Sequence, residues 1–415
     1  MGKLFSRLMN AVVNIILNLF NLRIKLKYVL LALIVFTGSA VGITYSKLIN
    51  QVGGKSDYDE AMRYIEMKDV LDDNFIDDVD RSSLANSASA AMVNGLGDKW
   101  SYYMTADEYK TYQLYSSNEY ADIGMSIIKD ENSGGFQVVS VSLGAPAANA
   151  GLTAGMVITS VDNIDVTGLD SDDVRTLIRS RLNTKFTIGV LGSKELLNVD
   201  CSYTYVSPVF SRLEKTEAGY VKIDNFEAGS GQDAVDAIES LLDQGATALV
   251  IDLRGNAGGL ASEATVLLDY LLPNCDLFCT VGKDGKKDMV KSDSVCLNLP
   301  TVVLVNTGTY SEAEVFAAVM QEQGWATIMG ETTQGKTRTQ QTIELSDGSA
   351  VRLSTRRYLT AKGTDISRTG VVPDSIVYNS DASTVGTTDG TTGITDGSAS
   401  TSSDEQLMAA LRLLS

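Results

Sequence analysis

The sequence predicts a multi-domain α/β protein: an α/β core, an inserted β-rich domain, a helical N-terminal arm and one N-terminal transmembrane helix. Three observations carry this. The 415 residues are 44% hydrophobic, enough for two or three domains with real cores. From 215 to 378, apolar strand-like runs alternate with helical ones, as in a sheet with parallel parts covered by helices. Tyr28 to Tyr45 is uncharged and, at about 18 residues, close to the lower limit for a membrane span.

The N-terminal elements follow from charge. Residues 1–27 carry Lys3, Arg7, Arg23, Lys25 and Lys27 and no acid. The formal net charge of the chain is -18, so the remainder holds roughly -23. That balance argues against nucleic acid as a partner. The basic flank predicts a single-pass protein of the cell membrane, with residues 1–27 cytoplasmic, the helix at 28–45 and the acidic bulk outside. A cleaved signal peptide with small residues at Ala40 and Gly42 is the rival, though 27 preceding residues are long for one. Asn10, Asn14, Asn18 and Asn21 share one helical face, as in a helix lying in the membrane interface; an apolar leader is the alternative. The opening Met-Gly-Lys-Leu-Phe-Ser fits the myristoylation pattern, a match short enough to be chance.

Further along, 56–118 reads as an acidic helical cap. Apolar Met62, Ile65, Val70 and Leu71 recur in its first helix, and Ser83 to Leu96 is rich in Ala and Ser. Residues 119–195 turn β-rich, with strands at Gly124–Ile128, Phe136–Val141, Val157–Val161 and Lys185–Leu191 and an amphipathic helix at Asp172–Arg181. Residues 200–379 form the α/β core. Ser, Thr, Gly and Asp dominate 380–403, a flexible linker. Residues 404–415 form an amphipathic helix with Leu407, Met408, Leu411 and Leu414 on one side, suited to dock onto the fold. The cysteines, Cys201, Cys275, Cys279 and Cys296, lack zinc-type pairing. Outside the cytoplasm Cys275 or Cys279 could pair with Cys296; buried thiols are the alternative.

The chain contains no histidine. That excludes Ser-His-Asp and Cys-His hydrolases and His-ligated zinc enzymes. Lysine is the usual substitute base, because burial can pull its pKa toward neutrality. A free lysine near 10.4 is neutral in about one molecule in 2500 at pH 7. Bringing a lysine to about 7 requires roughly 4–5 kcal/mol against the charged form.

Three segments could supply such chemistry. In Val302 to Glu314 an apolar strand ends in a Gly-containing turn, and Ser311 stands at a helix start, where N–H groups favour negative charge. Alone, Ser311 is as well explained as an N-cap. Lys336 follows Gly335, which lets the backbone pass close. In Ile251 to Leu260 a buried strand opens into a glycine turn, Gly255-Asn256-Ala257-Gly258-Gly259, offering N–H groups to an anion. A phosphate site competes, but the Walker spacing is missing; ordinary turn chemistry is the bland explanation.

Two resemblances sharpen this. Ile123-Gly124-Met125-Ser126, "GAPAANAGL" at 144–152, "GMVITSVDN" at 155–163 and "VRTLIRS" at 174–180 resemble a PDZ domain of the bacterial, circularly permuted type. That resemblance implies capture of peptide C-termini by strand addition, with Ile123, Gly124, Met125 and Ser126 as the carboxylate-binding loop. A β-rich domain that only packs on the core is the alternative. "VIDLRGNAGG", "NTGTYSEAE" and "GKTRTQ", in that order after the PDZ-like stretch, resemble the carboxyl-terminal processing proteases, over about 58–378 plus "DEQLMAAL". "GYVKIDNF", "ELSDGSAVRLSTRRYLT" and "GVVPD" agree.

The resemblance implies a crotonase-like core and a Ser-Lys endopeptidase cutting extracytoplasmic proteins near their C-termini, gated by the tail bound to the PDZ domain. It places the nucleophile on Ser311, the general base on Lys336 and the lysine-orienting residue on Gln340. Oxyanion donors fall on the N–H of Gly258 or Gly259 and of Glu312. It implies peptide substrates and a membrane as partners, is compatible with a homo-oligomer, and calls for no cofactor and no metal. The chain departs from the pattern at Glu312, often a small residue, and at Thr337, Ala257 and Trp100. A carboxylate at 312 would hold Lys336 protonated unless it points away, or else gate activity. A catalytically silent PDZ scaffold is therefore the alternative function.

Overall fold

The computed structural model describes residues 9–15, 26–130, 132–141, 145–293, 295–379 and 404–415. The predicted linker, Asn18, Asn21, the opening hexapeptide and Gly144 lie outside the described residues. The chain divides into two compact units, 1–87 and 88–415.

In the first unit residues 9–15 are helical. Helix α1 (Leu26–Gln51) runs past the predicted end at Tyr45 and stops before Gly53 and Gly54, both at positive φ. It is the one helix among the described residues long and apolar enough to cross a membrane, and no side chain of the span is buried within the protein. Helix α2 (Lys55–Asn74) buries none of its residues. Its Met62, Ile65 and Val70 are exposed.

The second unit continues from helix α3 (Arg81–Asn94) into strand β1 (Tyr102–Met104), helix α4 (Ala106–Ser116) and strand β2 (Glu119–Asp122). The stretch expected to be helical thus contains a strand. α4 starts at a reciprocal capping box between Thr105 and Glu108.

The inserted domain holds β3 (Met125–Lys129), β4 (Phe136–Val141), α5 (Pro146–Asn149), β5 (Val157–Val161), β6 (Ile164–Asp165), α6 (Ser171–Arg179), β7 (Lys185–Val190) and β8 (Leu197–Asp200). Its sheet order is β3-β4-β5-β7-β8, with β6 on β5 and all pairs antiparallel. Inward-facing residues such as Phe136, Val138, Ile158, Val161 and Ile188 meet Val174 and Ile178 of α6 in one core. β3 is an edge strand, the position strand addition requires. Strand β9 (Ser202–Tyr205) pairs antiparallel with β2, so the chain leaves the inserted domain beside the point where it entered.

The core contains β10 (Val209–Leu213), β11 (Ala218–Ile223), α7 (Ser230–Asp243), β12 (Ala248–Asp252), α8 (Ala261–Leu271), β13 (Asp276–Gly282), β14 (Lys287–Lys291), β15 (Thr301–Val305), α9 (Glu312–Glu322), β16 (Thr327–Gly330), β17 (Arg338–Glu344), β18 (Ala350–Thr360), β19 (Ser375–Ile376) and α10 (Glu405–Leu414). The main sheet runs β10-β11-β12-β15-β16-β19, parallel except for β10. All residues of β12 and β15 are buried, because both faces of the sheet are covered. Val221, Leu249, Ile251, Val303 and Val305 join the core under α7, α8 and α9. Their neighbours Tyr220, Val250, Val302 and Leu304 face the other way, against Leu407, Ala410 and Leu411 of α10.

Helix α10 is pinned as well as packed. Arg254 donates to Asp252, to both carboxylate oxygens of Asp404 (2.8 Å each) and to Gln406 (3.0 Å). Met408, expected on the buried side, is exposed. A second sheet, β1-β18-β13-β14 with β17 on β18, lies alongside the core. All four cysteines are free thiols, which corrects the pairing of Cys275 or Cys279 with Cys296. Cys279 is buried inside β13, Cys275 contacts the Ser292 hydroxyl, and Cys296 is exposed.

Candidate active site

β12 and β15 are neighbours in register, with Asp252 opposite Leu304. Their carboxyl ends therefore release the glycine turn and the Ser311 loop side by side, the usual place for a site on a parallel sheet. Asn256 anchors the turn: its amide donates to Ile223 O (2.9 Å) and its side-chain oxygen accepts from Gly258 N–H (2.7 Å). Gly258 is thus not a free oxyanion donor, which narrows the expected pair to Gly259. Gly258 has φ +85, and a Cβ there would stand 2.8 Å from both Ser311 Cβ and Glu312 Oε2. Only glycine leaves the cradle open.

Ser311 has φ 61 and ψ -127. A left-handed backbone at a non-glycine residue is strained and persists only where the surroundings hold it. Glu314 supplies the hold. Its buried carboxylate accepts from Ser311 N–H (3.0 Å), Thr333 hydroxyl (2.5 Å), Gly335 N–H (2.5 Å) and Lys336 N–H (2.7 Å). One side chain therefore ties the serine loop to the lysine loop across 22 residues. The Ser-x-x-Glu capping-box pattern at 311–314 is the sequence signal for it.

The Ser311 hydroxyl donates to Glu312 Oε2 at 2.5 Å. The same oxygen accepts from Gly259 N–H (3.2 Å), and Oε1 accepts from the Tyr358 hydroxyl (2.7 Å). Glu312 is 6% exposed. Of the two outcomes open at this position, the carboxylate points into the site.

Lys336 Nζ lies over the rings of Trp100 (4.4 Å) and Tyr310 (5.1 Å), which stack on each other. Burial lowers its pKa, and the charges of Glu312, Glu314, Asp98 and Glu227 oppose that. Trp100, which departs from the family pattern, is thus part of the wall that keeps the amine from water. Gln340 lines the same cleft, but its side-chain amide donates to Arg338 O (2.7 Å).

The cleft has a volume of about 910 Å³ and takes walls from the inserted domain (Arg179), the preceding segment (Trp100) and the core (Ser311, Lys336, Glu227). Glu227, in the loop after β11, was missed from the sequence. It is 5% exposed, its Oε2 has no partner, and burial together with the charge of Glu312 pushes its carboxyl up to about 8.

In the inserted domain Ile123 and Met125 are buried, and Gly124 has φ 71. The N–H groups of Ile123 (2.7 Å) and Gly124 (3.0 Å) donate to Asp122 Oδ1. Two of the amides expected to hold a tail carboxylate are already bonded to a resident one. Met125 and Ser126 border a cavity of about 200 Å³ shared with Asp233 and Asp236 of α7.

Known proteins agree with this architecture. Peptidase family S41 matches residues 217–377, and a PDZ domain matches 137–191. The carboxy-terminal processing protease CtpA of Bacillus subtilis is 31% identical over 326 residues, 77% of this chain and 69% of the relative. The carboxyl-terminal-processing protease of Synechocystis is 28% identical over 300 residues, 70% of each chain. The chloroplastic C-terminal processing peptidase of Tetradesmus obliquus is 30% identical over 317 residues, 71% of this chain and 68% of the relative. With a PDZ domain inserted ahead of an S41 core, the chain belongs to the carboxyl-terminal processing proteases and is a serine-type peptidase.

Proposed function

We propose that this chain is a membrane-anchored endopeptidase that uses Ser311 and Lys336 as a dyad to cut extracytoplasmic proteins near their C-termini. The observation that carries the reading is the Glu314 bridge, which holds both loops at the mouth of one cleft. Neutral Lys336 takes the proton from Ser311 as Oγ attacks the scissile carbonyl carbon. The N–H groups of Gly259 and Glu312 receive the oxyanion. Lys336 then passes the proton to the leaving amine as the C–N bond breaks. Lys336, neutral again, deprotonates water as it attacks the ester, then returns the proton to Ser311 Oγ as the C–O bond breaks and the acid leaves.

Gln340 steadies Lys336 in this scheme, through an amide that adds no charge. A tail held against β3 presents the substrate, and Arg179, on the PDZ helix and in the cleft wall, is where tail binding reaches the core. Helix α1 anchors the chain with its basic flank in the cytoplasm, as charge asymmetry and length support. Alkaline extraction of membranes tests the anchor: release of the full chain into the supernatant would overturn it.

The second reading, a silent PDZ scaffold, is favoured by one observation, the Glu312 carboxylate on the oxyanion donor. Casein turnover by the full chain in detergent separates the two. Activity lost in both Ser311→Ala and Lys336→Ala establishes the peptidase dyad; equal residual activity in all three proteins establishes the scaffold.

A further inference from the structure

Glu312 makes an arrangement that a serine peptidase does not need and that substrate cannot share. One carboxylate oxygen accepts hydrogen bonds from the Ser311 hydroxyl at 2.5 Å and the Gly259 N–H at 3.2 Å. The other takes the Tyr358 hydroxyl at 2.7 Å, and Tyr358 is itself buried in β18. Three donors from three separate segments converge on one buried carboxylate. A scissile carbonyl must place its oxygen on the Gly259 amide and its carbon within reach of Ser311 Oγ. Glu312 Oε2 stands on both.

We propose that Gly259, Ser311 and Tyr358 form a carboxylate-binding site, that Glu312 is its resident ligand, and that peptide substrates are cut only after displacing it. The ligand class is a carboxylate flanked by a donor on each oxygen. The free acid left when an acyl-enzyme hydrolyses has that same group at that same place, so Glu312 stands in for product. The inference rests on Ser311 being the nucleophile.

Displacement would do three things at once. It uncovers the Gly259 amide. It returns the Ser311 proton to the reach of a base. It also removes from the site the charge that most opposes the effect of burial on Lys336. An enzyme plugged in this way would idle without substrate, because the groups needed for attack are bonded to one another.

The test uses the full chain in detergent micelles and a fluorophosphonate probe, which phosphonylates an activated serine with loss of fluoride and needs no knowledge of the peptide substrate. Second-order labelling rates are compared for wild type, Glu312→Ala, Glu312→Gln, Tyr358→Phe, Lys336→Ala and Ser311→Ala, with melting curves to confirm folding. The Ala variant is expected to label about tenfold or more faster than wild type, as loss of a charge-assisted bond would allow. The Gln variant keeps the shape and falls between them, and Tyr358→Phe gives a smaller rise. Added acetate should slow the Ala variant by filling the vacated site and leave wild type nearly unchanged.

Glu312→Ala and Glu312→Gln, folded and labelling no faster than wild type, would overturn the proposal. So would acetate slowing both proteins alike. Wild-type labelling in Ser311→Ala defeats the nucleophile reading itself. Faster labelling in the Glu312 variants combined with wild-type labelling in Lys336→Ala keeps the plug and removes the dyad.

Discussion

Two glycine-containing turns in this molecule are shaped to receive an anion, and each already holds a carboxylate of the protein's own. In the PDZ domain Asp122 bonds the amides of Ile123 and Gly124. In the catalytic core Glu312 bonds the amide of Gly259. The difference lies in where the carboxylate comes from. Asp122 caps its immediate neighbours, a local turn that forms with the chain itself. Glu312 reaches an amide 53 residues earlier in sequence and a hydroxyl 46 residues later, so its bonds exist only in the folded core. Local capping of that kind is a fixed property of the loop. The long-range plug depends on one rotamer, and substrate can compete for it.

The largest effect comes from the catalytic turn. Ser311→Ala and Lys336→Ala should each lower peptidase kcat/KM by roughly a thousandfold or more, and the double variant should be little worse than either, as the proposed dyad requires. Casein or quenched-peptide turnover measures this. Additive losses would show that Lys336 acts apart from Ser311.

The next effect concerns the PDZ turn. With Asp122 on its amides and Asp233 and Asp236 bordering the adjacent cavity, the groove gives little to a free carboxylate. Tail peptides ending in a free acid or in an amide should displace a bound fluorescent peptide equally well from the wild-type chain. Asp122→Gly frees both amides and should shift the balance about tenfold toward the acid. A strong preference of wild type for the acid would mean that Asp122 swings out as readily as Glu312, and the distinction between fixed and displaceable caps would fail.

That distinction also marks what was legible beforehand. The parallel core, the inserted domain and the glycine turn were written in runs such as Ala248–Asp252 and Thr301–Val305, where burial on both faces leaves an unbroken apolar string. The motif order brought Ser311 and Lys336 forward, and they line one cleft. Glu314 had a local signal in its capping box, but its bonds to Thr333, Gly335 and Lys336 are tertiary. Glu227 had no signal at all: an acid after an apolar strand reads as a solvated loop residue, and only packing buries it. Glu312 was legible as a departure but not in direction, because a side chain's rotamer is decided by partners distant in sequence.

A pH profile sharpens the catalytic half. Lys336 faces Glu312, Glu314, Asp98 and Glu227, and sits over Trp100 and Tyr310. Burial lowers its pKa and the four carboxylates raise it. Neutralising one of them in Glu312→Gln removes an opposing charge, so the pKa falls further and the free amine persists to lower pH. The acid limb of kcat/KM should therefore move to lower pH in the variant. An unmoved or rising limb would show that the titrating base is not Lys336, or that Glu312 leaves before the base is needed.

The smallest effect is expected at Gln340. The family role assigned to it is to orient the lysine, yet its Nε2 donates to Arg338 O, the backbone two residues away. That bond is local and neutral, and β17 pairs with β18 through Gln340 and Ser354 whatever the side chain does. Lys336 meanwhile is positioned by its own backbone bond to Glu314 and by two aromatic faces. Replacing Gln340 by Ala should then cost less than about fivefold in kcat/KM, with KM unchanged. Gln340→Glu should be worse than Gln340→Ala, because a new carboxylate in the cleft that Lys336 also lines would favour the protonated amine. Glutamate as the milder change would show that position 340 acts on Lys336 through side-chain size or hydrogen bonding and not through charge.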